Sequence, residues 1–386
     1  MEYLHEVLKS LPGLIPWGWV MWILFLLVAL IQLIFYWYFL SKAAWHKRKA
    51  VPDPDYLLPV SVIICARNDY PNLQQNLPMV LEQDYPEFEV VVVDDGSNDD
   101  SDMLLKEMSN RYSHLKVVTI GNSVTFVKGK KLPLSIGIKS ATHNVLLHTD
   151  ASCRPASPHW IRHMALHFTT GSEVLLGYGA FNPKPGFFNQ LVRFDALYCA
   201  ARYMGMAKAG IPYMGVGRNL AYTRALFYRA KGFTSHYHLI AGDDDLFVNQ
   251  VARKNNTATE LSPEARTLSD APVRFAAWFR QRVRTFRTFS YYKARHRSML
   301  RLFHWSHFLF YPLFVLSLIY WGLSVMGYVA AGIFVLCLAS HFVIISRLAR
   351  KLQEEKISLF SLPAHILLPF LYAIFAVYTL FMKKHK

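Results

Sequence analysis

Three carboxylates stand in a row, Asp243, Asp244 and Asp245, within AGDDDLF (241–247). Adjacent acids repel each other, so such a triplet inside a domain needs a cation, a substrate or solvent to compensate it. A carboxyl raised by those neighbours can take a proton from a hydroxyl as general base. A second acidic group, Asp94 and Asp95, ends an apolar run in VVVDDGSNDDS (91–101). Asp-Gly and Ser-Asn also favour turns. The pair is therefore either a strand-to-turn signal or a carboxylate turned inward to accept hydrogen bonds from a base or ribose. Asp150 closes NVLLHTD (144–150). It suits a divalent cation, Mg²⁺ or Mn²⁺, which typically takes one or two carboxylates together with substrate phosphates. The glycines of GIPYMGVGRN (210–219) allow close backbone approach, or mark a flexible loop. In WFRQRVRTFRTFSYYKARHRSMLR (278–301) aromatics alternate with Arg. One face of such a helix suits anionic headgroups, and another can turn cations toward a diphosphate.

Elements must bring these groups together. VSVIICA (60–66), FEVVVVDD (88–95), LKVVTI (115–120) and NVLLHTD (144–150) read as short buried strands. Helices are predicted between them, through Leu73, Leu77, Val80 and Leu81, around 101–113, and around 132–141. Apolar strands alternating with helices make a parallel sheet covered on both faces. Ligands of such sheets sit outside the carboxyl ends of the strands, where Arg67, Asn68, Asp94, Asp95 and Asp150 fall. No G-x-G-x-x-G follows the first strand and no G-x-x-x-x-G-K-[ST] occurs, which argues against a dinucleotide fold and a P-loop. Cys65, Cys153, Cys199 and Cys337 show neither disulfide nor zinc spacing.

The formal net charge of +16 over 386 residues raises nucleic acid as a partner, but its distribution argues against one. Residues 50–270 carry 21 basic and 22 acidic residues, whereas 271–301 carry nine basic residues and no acid. Residues 17–40 are uncharged, with Trp17, Trp19 and Trp22 at one end and Tyr36, Trp37 and Tyr38 at the other, as in a transmembrane anchor. Residues 302–322 and 325–346 read as a tight hairpin of two spans. A third apolar stretch, 357–382, contains Pro363 and Pro369. The basic flanks at 41–49, 271–301 and 347–358 put the middle of the chain in the cytoplasm. A full final crossing would leave Lys383, Lys384 and Lys386 outside; a broken or re-entrant helix between the prolines would not.

PVSVIICARND (59–69), VVVDDGSNDDS (91–101), GKKLPLSIGIKSATHNVLLHTDASCRP (129–155) and AGDDDLF, with a partial QRVRT (281–285), occur in an order and spacing that resemble the family-2 glycosyltransferases of the GT-A fold, in their membrane-integrated bacterial form. The resemblance covers about residues 55–300. It implies an α/β fold: a GT-A-type, Rossmann-like, mixed and mostly parallel sheet with helices on both faces, plus transmembrane helices at both ends. The expected domains are an N-terminal amphipathic segment and anchor (1–49), a cytoplasmic GT-A domain (50–270), a basic interfacial segment (271–301) and a C-terminal membrane region (302–386).

By the same resemblance, Ala66, Arg67 and Asn68 would line the nucleotide pocket, and Asp95 with Asp94 would hold base and ribose. Lys130 would lie near the phosphates, and Asp150 would open the D-x-D element for a divalent cation. Alignment on Gly242 makes the base Asp244; alignment on Asp245-Leu246 makes it Asp243. The first is preferred. Gln281 and Arg284 match the start of Q-x-x-R-W beside the acceptor and diphosphate, where Asp245 is also expected. Two positions depart from the pattern. Ser152 replaces the second Asp of D-x-D, a poorer metal ligand, and Thr285 replaces the Trp that stacks a sugar in processive synthases.

The expected enzyme is thus an inverting transferase in the bacterial inner membrane, its catalytic domain cytoplasmic. It would move a sugar from a nucleotide-diphosphate sugar to a lipid or lipid-linked glycan acceptor, with no role for nucleic acid. A processive polysaccharide synthase and a catalytically inactive membrane homologue are the alternatives. A transporter would need charged residues within its spans and internal repeats.

Overall fold

The computed structural model describes residues 14–47, 56–121, 129–354 and 356–383. The expected amphipathic segment before residue 14, Arg48 and Lys49 of the first basic flank, and the terminal Lys384 and Lys386 lie outside the described residues. Helix α1 runs over Leu14–Ile34, widens into a π-helical stretch at Phe35–Leu40 and ends with Ser41–Ala44. The predicted alternation then appears: β1 (Val60–Ala66), α2 (Tyr70–Leu81), β2 (Phe88–Asp94), α3 (Ser101–Arg111), β3 (Leu115–Thr119), α4 (Lys131–Ser140) and β4 (Val145–Asp150). Every residue of β1 except Cys65 is buried, as a β-branched strand covered on both faces requires.

Shorter pieces complete the domain. They are β5 (Cys153–Pro155), α5 (Trp160–Thr169), β6 (Val174–Leu176), β7 (Gly179–Phe181), α6 (Phe187–Lys208), β8 (Leu220–Thr223), α7 (Arg224–Arg229), α8 (Asp245–Val251), β9 (Thr257–Thr259) and β10 (Thr267–Ser269). The main sheet has seven strands in the order β3-β2-β1-β4-β8-β6-β9. The β1, β2, β3 and β4 pairings are parallel, while β8 runs antiparallel to both neighbours, so the sheet is mixed. Register aligns Ala66 with Asp94 and Cys65 with Asp150, which brings three predicted site positions to one sheet edge.

Helix α6 is buried along nearly its whole length, Arg193, Asp195 and Arg202 included, so it is a helix enclosed on every side. It lies between the sheet and the membrane helices. Gly205 on α6 meets the π-helical part of α1, where a Cβ would come within 2.6 Å of the Phe39 carbonyl oxygen.

After α9 (Phe275–Phe289) come α10 (Ala294–Trp321), α11 (Val325–Lys351) and α12 (Ile357–Lys383). Four stretches are long and apolar enough to cross a membrane: Trp17–Ala44, Ala294–Trp321, Val325–Lys351 and Ile357–Phe381. Of the two forms left open for the last stretch, broken or continuous, the structure has the continuous one: α12 is a single helix with Pro363 and Pro369 inside it. Each proline removes one ladder bond, but in apolar surroundings the remaining backbone groups find their partners only within the helix.

Helix α12 nevertheless does not follow its neighbours. His365 stacks near His307 of α10 and His341 of α11, with ring centres 4.1 and 3.8 Å away. Seven residues on, Tyr372 meets His304, nearer the start of α10. Phe375 and Tyr378 then pack on Trp278 and Phe279 of α9, ring centres 5.3 and 5.0 Å apart. The helix therefore slants back toward the α/β domain. At the opposite end of the bundle, Trp19 of α1 packs on Trp321, 5.0 Å between centres, and the Trp22 indole donates to the Met326 carbonyl at 3.4 Å.

The turn between α11 and α12 is fastened to the α/β domain. Glu354 pairs with Arg193 of α6 at 2.6 Å and accepts a hydrogen bond from the Tyr178 hydroxyl at 2.9 Å. Arg266 donates to the Gln353 side chain at 3.0 Å and to the Leu352 carbonyl.

Candidate active site

At the carboxyl edge of the sheet, the turns after β1 and β2 are stapled together. Asp94 is buried and spends its Oδ1 on Ser97, accepting from the backbone N–H at 3.0 Å and from the hydroxyl at 2.5 Å. Asn68 sits at a positive φ of 52°. Its N–H donates to the Ser97 hydroxyl at 2.9 Å, and its Oδ1 accepts from the Asn98 N–H at 2.7 Å. Both residues therefore build the turn. Asp95 instead stands beside the half-exposed Arg67, 3.6 Å away. Partial burial raises its carboxyl above the usual range, against the pull of Arg67. Of this cluster, Arg67 and Asp95 are the charged side chains not spent on building the turn.

A cavity of about 290 Å³ opens next to this edge, lined by Lys130, Asp150, the acidic triplet, Gln281 and Arg284 among others. These predicted positions do converge, although they come from four separate elements. Ser152, in the turn between β4 and β5, does not line it. Asp150 ends β4 and accepts from Lys130 Nζ at 2.6 Å. Burial would raise its carboxyl, but Lys130, with Arg218 and Arg284 behind it, holds it below the usual range.

The triplet divides by hydrogen bonding. Asp244 caps α8: Oδ1 accepts from the Asp245 N–H at 2.7 Å and Oδ2 from the Gly217 N–H at 2.8 Å. Through the Gly217 N–H the 210–219 loop closes on the acid. Asp245 is buried in the cavity wall, accepting from the Tyr292 hydroxyl at 2.9 Å and from the Thr288 hydroxyl. Burial and the neighbouring Asp244 push it up to about 7. It ties α8 to α9. Asp243 has no hydrogen-bond partner in another residue among the described ones and faces the Lys130–Asp150 side of the cavity. Burial and Asp244 push it up to about 6, a value suited to a base at neutral pH.

Helix α9 offers its faces to different neighbours. Gln281, Arg284, Thr285 and Thr288, at helical spacing, line the cavity. Trp278 and Arg282 turn to Asp195 of α6, which is fully buried. Phe279 and Phe286 pack on α12.

Lys131 is a site residue that the sequence did not single out. It is buried, and its ammonium donates to the carbonyls of His236, Leu239 and Ala241 at 2.6, 2.7 and 2.8 Å. It thereby straps the loop that delivers Asp243. Gly129 beside it, at φ +114°, leaves room for the Ile240 carbonyl, which a Cβ would approach to 2.4 Å. The only signal was the Lys-Lys pair, which does not tell which ammonium faces the ligand. Lys131→Met is expected to lower stability by about 2 kcal/mol through three lost charge-assisted bonds. The transfer rate should fall with it, read from thermal unfolding and kcat on the same preparation. An unchanged rate would remove the loop from the machinery.

The donor set for a metal is small. No three His, Cys, Asp or Glu side chains among the described residues converge on one point. Asp150 is one carboxylate in the cavity wall, and Ser152 adds a hydroxyl in the next turn. This fits a cation that arrives with a diphosphate and takes most of its ligands from phosphate and water.

Residues 61–231 match the family described as glycosyl transferase family 2. Glycosyltransferase AglE of Haloferax volcanii is 28% identical over 192 residues, 48% of this chain. That match spans only 58% of AglE's own length. The probable glycosyltransferase YdaM of Bacillus subtilis is 25% identical over 329 residues, 77% of this chain and 74% of that one. Among solved structures, the mannosyltransferase PcManGT from Pyrobaculum calidifontis, in complex with GDP-Man and Mn²⁺, superposes with a TM-score of 0.58 at 18% identity. The superposition covers 93% of this chain and 99% of that one, a likeness of fold.

Proposed function

We propose that this chain, whose residues 61–231 match glycosyl transferase family 2 and whose fold is like that of a solved mannosyltransferase, transfers a sugar from a nucleotide-diphosphate sugar to the hydroxyl of a membrane-associated lipid or lipid-linked acceptor, with inversion. The observation that carries the reading is the convergence of Lys130, Asp150, Asp243 and Arg284 on one cavity whose far wall is membrane helix. Arg67 and Asp95 hold the nucleoside end of the donor. Asp243 takes the proton of the acceptor hydroxyl, whose oxygen attacks the anomeric carbon in line as the bond to the diphosphate breaks. Asp243 is assigned as base in preference to Asp244, because both Asp244 oxygens already accept backbone N–H groups. Lys130 and Arg284 stabilise the charge gathered by the leaving diphosphate. A divalent cation held by Asp150, with Ser152 close by, would supply further charge neutralisation there.

Thermal unfolding of the purified chain against a panel of nucleotide-sugars with Mg²⁺ or Mn²⁺ tests the donor assignment. One donor should raise the midpoint, and Asp150→Ala should abolish the metal-dependent part of the rise. No response to any donor would defeat the reading.

The proposed location is the bacterial inner membrane, catalytic domain in the cytoplasm, with α1, α10 and α11 as spans. Helix α12 lies at the cytoplasmic interface, a reading supported by its packing on α9 and by the exposed apolar side chains of Ile374, Val377 and Leu380. The basic end of the chain then stays on the cytoplasmic side, in keeping with its lysines. A fluorescent protein fused after Lys386 should fluoresce and an alkaline phosphatase fused there should stay inactive; the reverse pattern would mean that α12 crosses.

A further inference from the structure

The cavity does not end at the acids. It continues past α9 to Arg202 of α6, His304 of α10 and Tyr372 of α12. Arg202 is buried, 7% exposed, yet no carboxylate among the described residues pairs with it. The acid in this neighbourhood, Asp195, is already taken. Arg282 lies 2.5 Å from it, and it accepts from the Trp278 indole at 3.0 Å and from the Tyr372 hydroxyl. Asp195 is thus spent on Arg282, Trp278 and Tyr372, and Arg202 is left without a carboxylate.

The Arg202 guanidinium is held in place by neutral groups. It contacts His304 Nε2 at 2.5 Å and the Tyr372 hydroxyl at 3.4 Å, and it stacks over the Tyr198 ring at 5.1 Å. Its Nε–H has no partner. A guanidinium has five N–H donors, so capacity remains for a planar, two-pronged contact. An isolated buried cation is costly unless an anion joins it, and such a cost in a cavity wall points to an occupant. The walls on this side, Met214, Phe289 and Leu300, are apolar, and Leu300 belongs to a membrane helix.

We infer that the inner end of the cavity is an acceptor subsite for a phosphate-bearing lipid, whose phosphate pairs with Arg202 while its chain lies against α10 and α12. The inference rests on the lipid-acceptor reading above and names the group by which the lipid is recognised. An amphiphile seated in this way has its anionic head inside the protein, joined by one continuous cavity to Asp243. The donor diphosphate is served separately, by Lys130 and Arg284 at the other end.

The test uses the full chain in neutral detergent, with thermal unfolding as readout and three probes: dioleoyl phosphatidic acid, dioleoylglycerol and inorganic phosphate. Phosphatidic acid should stabilise the wild-type chain and dioleoylglycerol should not. Arg202→Met should weaken phosphatidic acid binding about tenfold or more. Because it removes an uncompensated buried charge, it should also keep or raise the midpoint without lipid. Arg202→Lys, which retains the charge but not the fork, should bind with intermediate affinity and provides a second variant if the first fails to fold.

Unchanged phosphatidic acid binding in these variants would assign it to the basic flanks and overturn the subsite. So would a large fall in the lipid-free midpoint of Arg202→Met, which would make Arg202 a structural residue. Equal stabilisation by inorganic phosphate alone would overturn the lipid as the source of the anion. Nucleotide-sugar stabilisation is followed in parallel and should be the same in both variants. Its absence from the wild-type chain, with the lipid responses as expected, would defeat the donor reading and leave the subsite standing.

Discussion

Asp243→Asn is expected to lower the transfer rate by about 10²–10⁴-fold, the usual weight of a general base, while the nucleotide-sugar still binds. The amide keeps the shape of the side chain but cannot take the proton. Asp243 carries the prediction because its oxygens are uncommitted and because burial beside Asp244 raises it to about 6. Below that pH it is protonated and cannot accept, so kcat should fall on the acid side and level off above. Asp244→Asn should behave differently. One of its two backbone acceptors becomes an NH₂ group, so the α8 cap and the contact with Gly217 loosen at a cost of about 1 kcal/mol. The rate then falls only as far as Asp243 is displaced. Single-turnover rates and donor affinities of the two variants, measured side by side, separate the roles. A slower Asp244→Asn than Asp243→Asn would return the base to Asp244.

The second large effect is on stability. Asp195→Ala leaves the buried Arg282, the Trp278 indole and the Tyr372 hydroxyl without their shared acceptor. Removing one partner of a buried ion pair costs about 3–5 kcal/mol, so the midpoint of thermal unfolding should drop sharply. The double variant Asp195→Ala, Arg282→Met should recover much of that loss, since it no longer buries an unpaired charge there. Arg282 Nε lies close to the carboxylate, but its N–H is not directed at it, so the contact is chiefly one of charge. If the double variant were no more stable than the single, the carboxylate would matter for its hydrogen bonds to Trp278 and Tyr372 instead.

The strand ends were legible because buried parallel strands are written as unbroken β-branched runs. A run that stops at Ala66, Asp94 or Asp150 marks the sheet edge where ligands sit. The order within the acidic triplet was not legible. Sliding an alignment by one residue exchanges Asp243 and Asp244, and only the N–H groups of Asp245 and Gly217, the latter distant in sequence, tell them apart. Lys131 was hidden by its neighbour Lys130, since type and spacing do not reveal which of two adjacent ammoniums turns inward. Pro363 and Pro369 left the form of the last stretch open, because in apolar surroundings a proline need not end a helix and the residues alone do not tell a broken one from a continuous one. Arg202 lay in a helix that matches no motif, and its lack of a counter-charge is a property of the assembled cavity alone.

Glu354 gives the joint between membrane and catalytic domain a mechanical character. The domain is held at several places, two of them well separated: where the π-helical part of α1 receives Gly205 and where the α11–α12 turn is gripped by Arg193, Tyr178 and Arg266. A body pinned at one point can pivot; a body pinned at two can turn only about the line that joins them, and α6 runs through both attachments. Swinging the whole domain away from the bilayer would break a buried ion pair. Access to the cavity is therefore left to side chains and to the strapped 236–241 loop rather than to a swing of the whole domain.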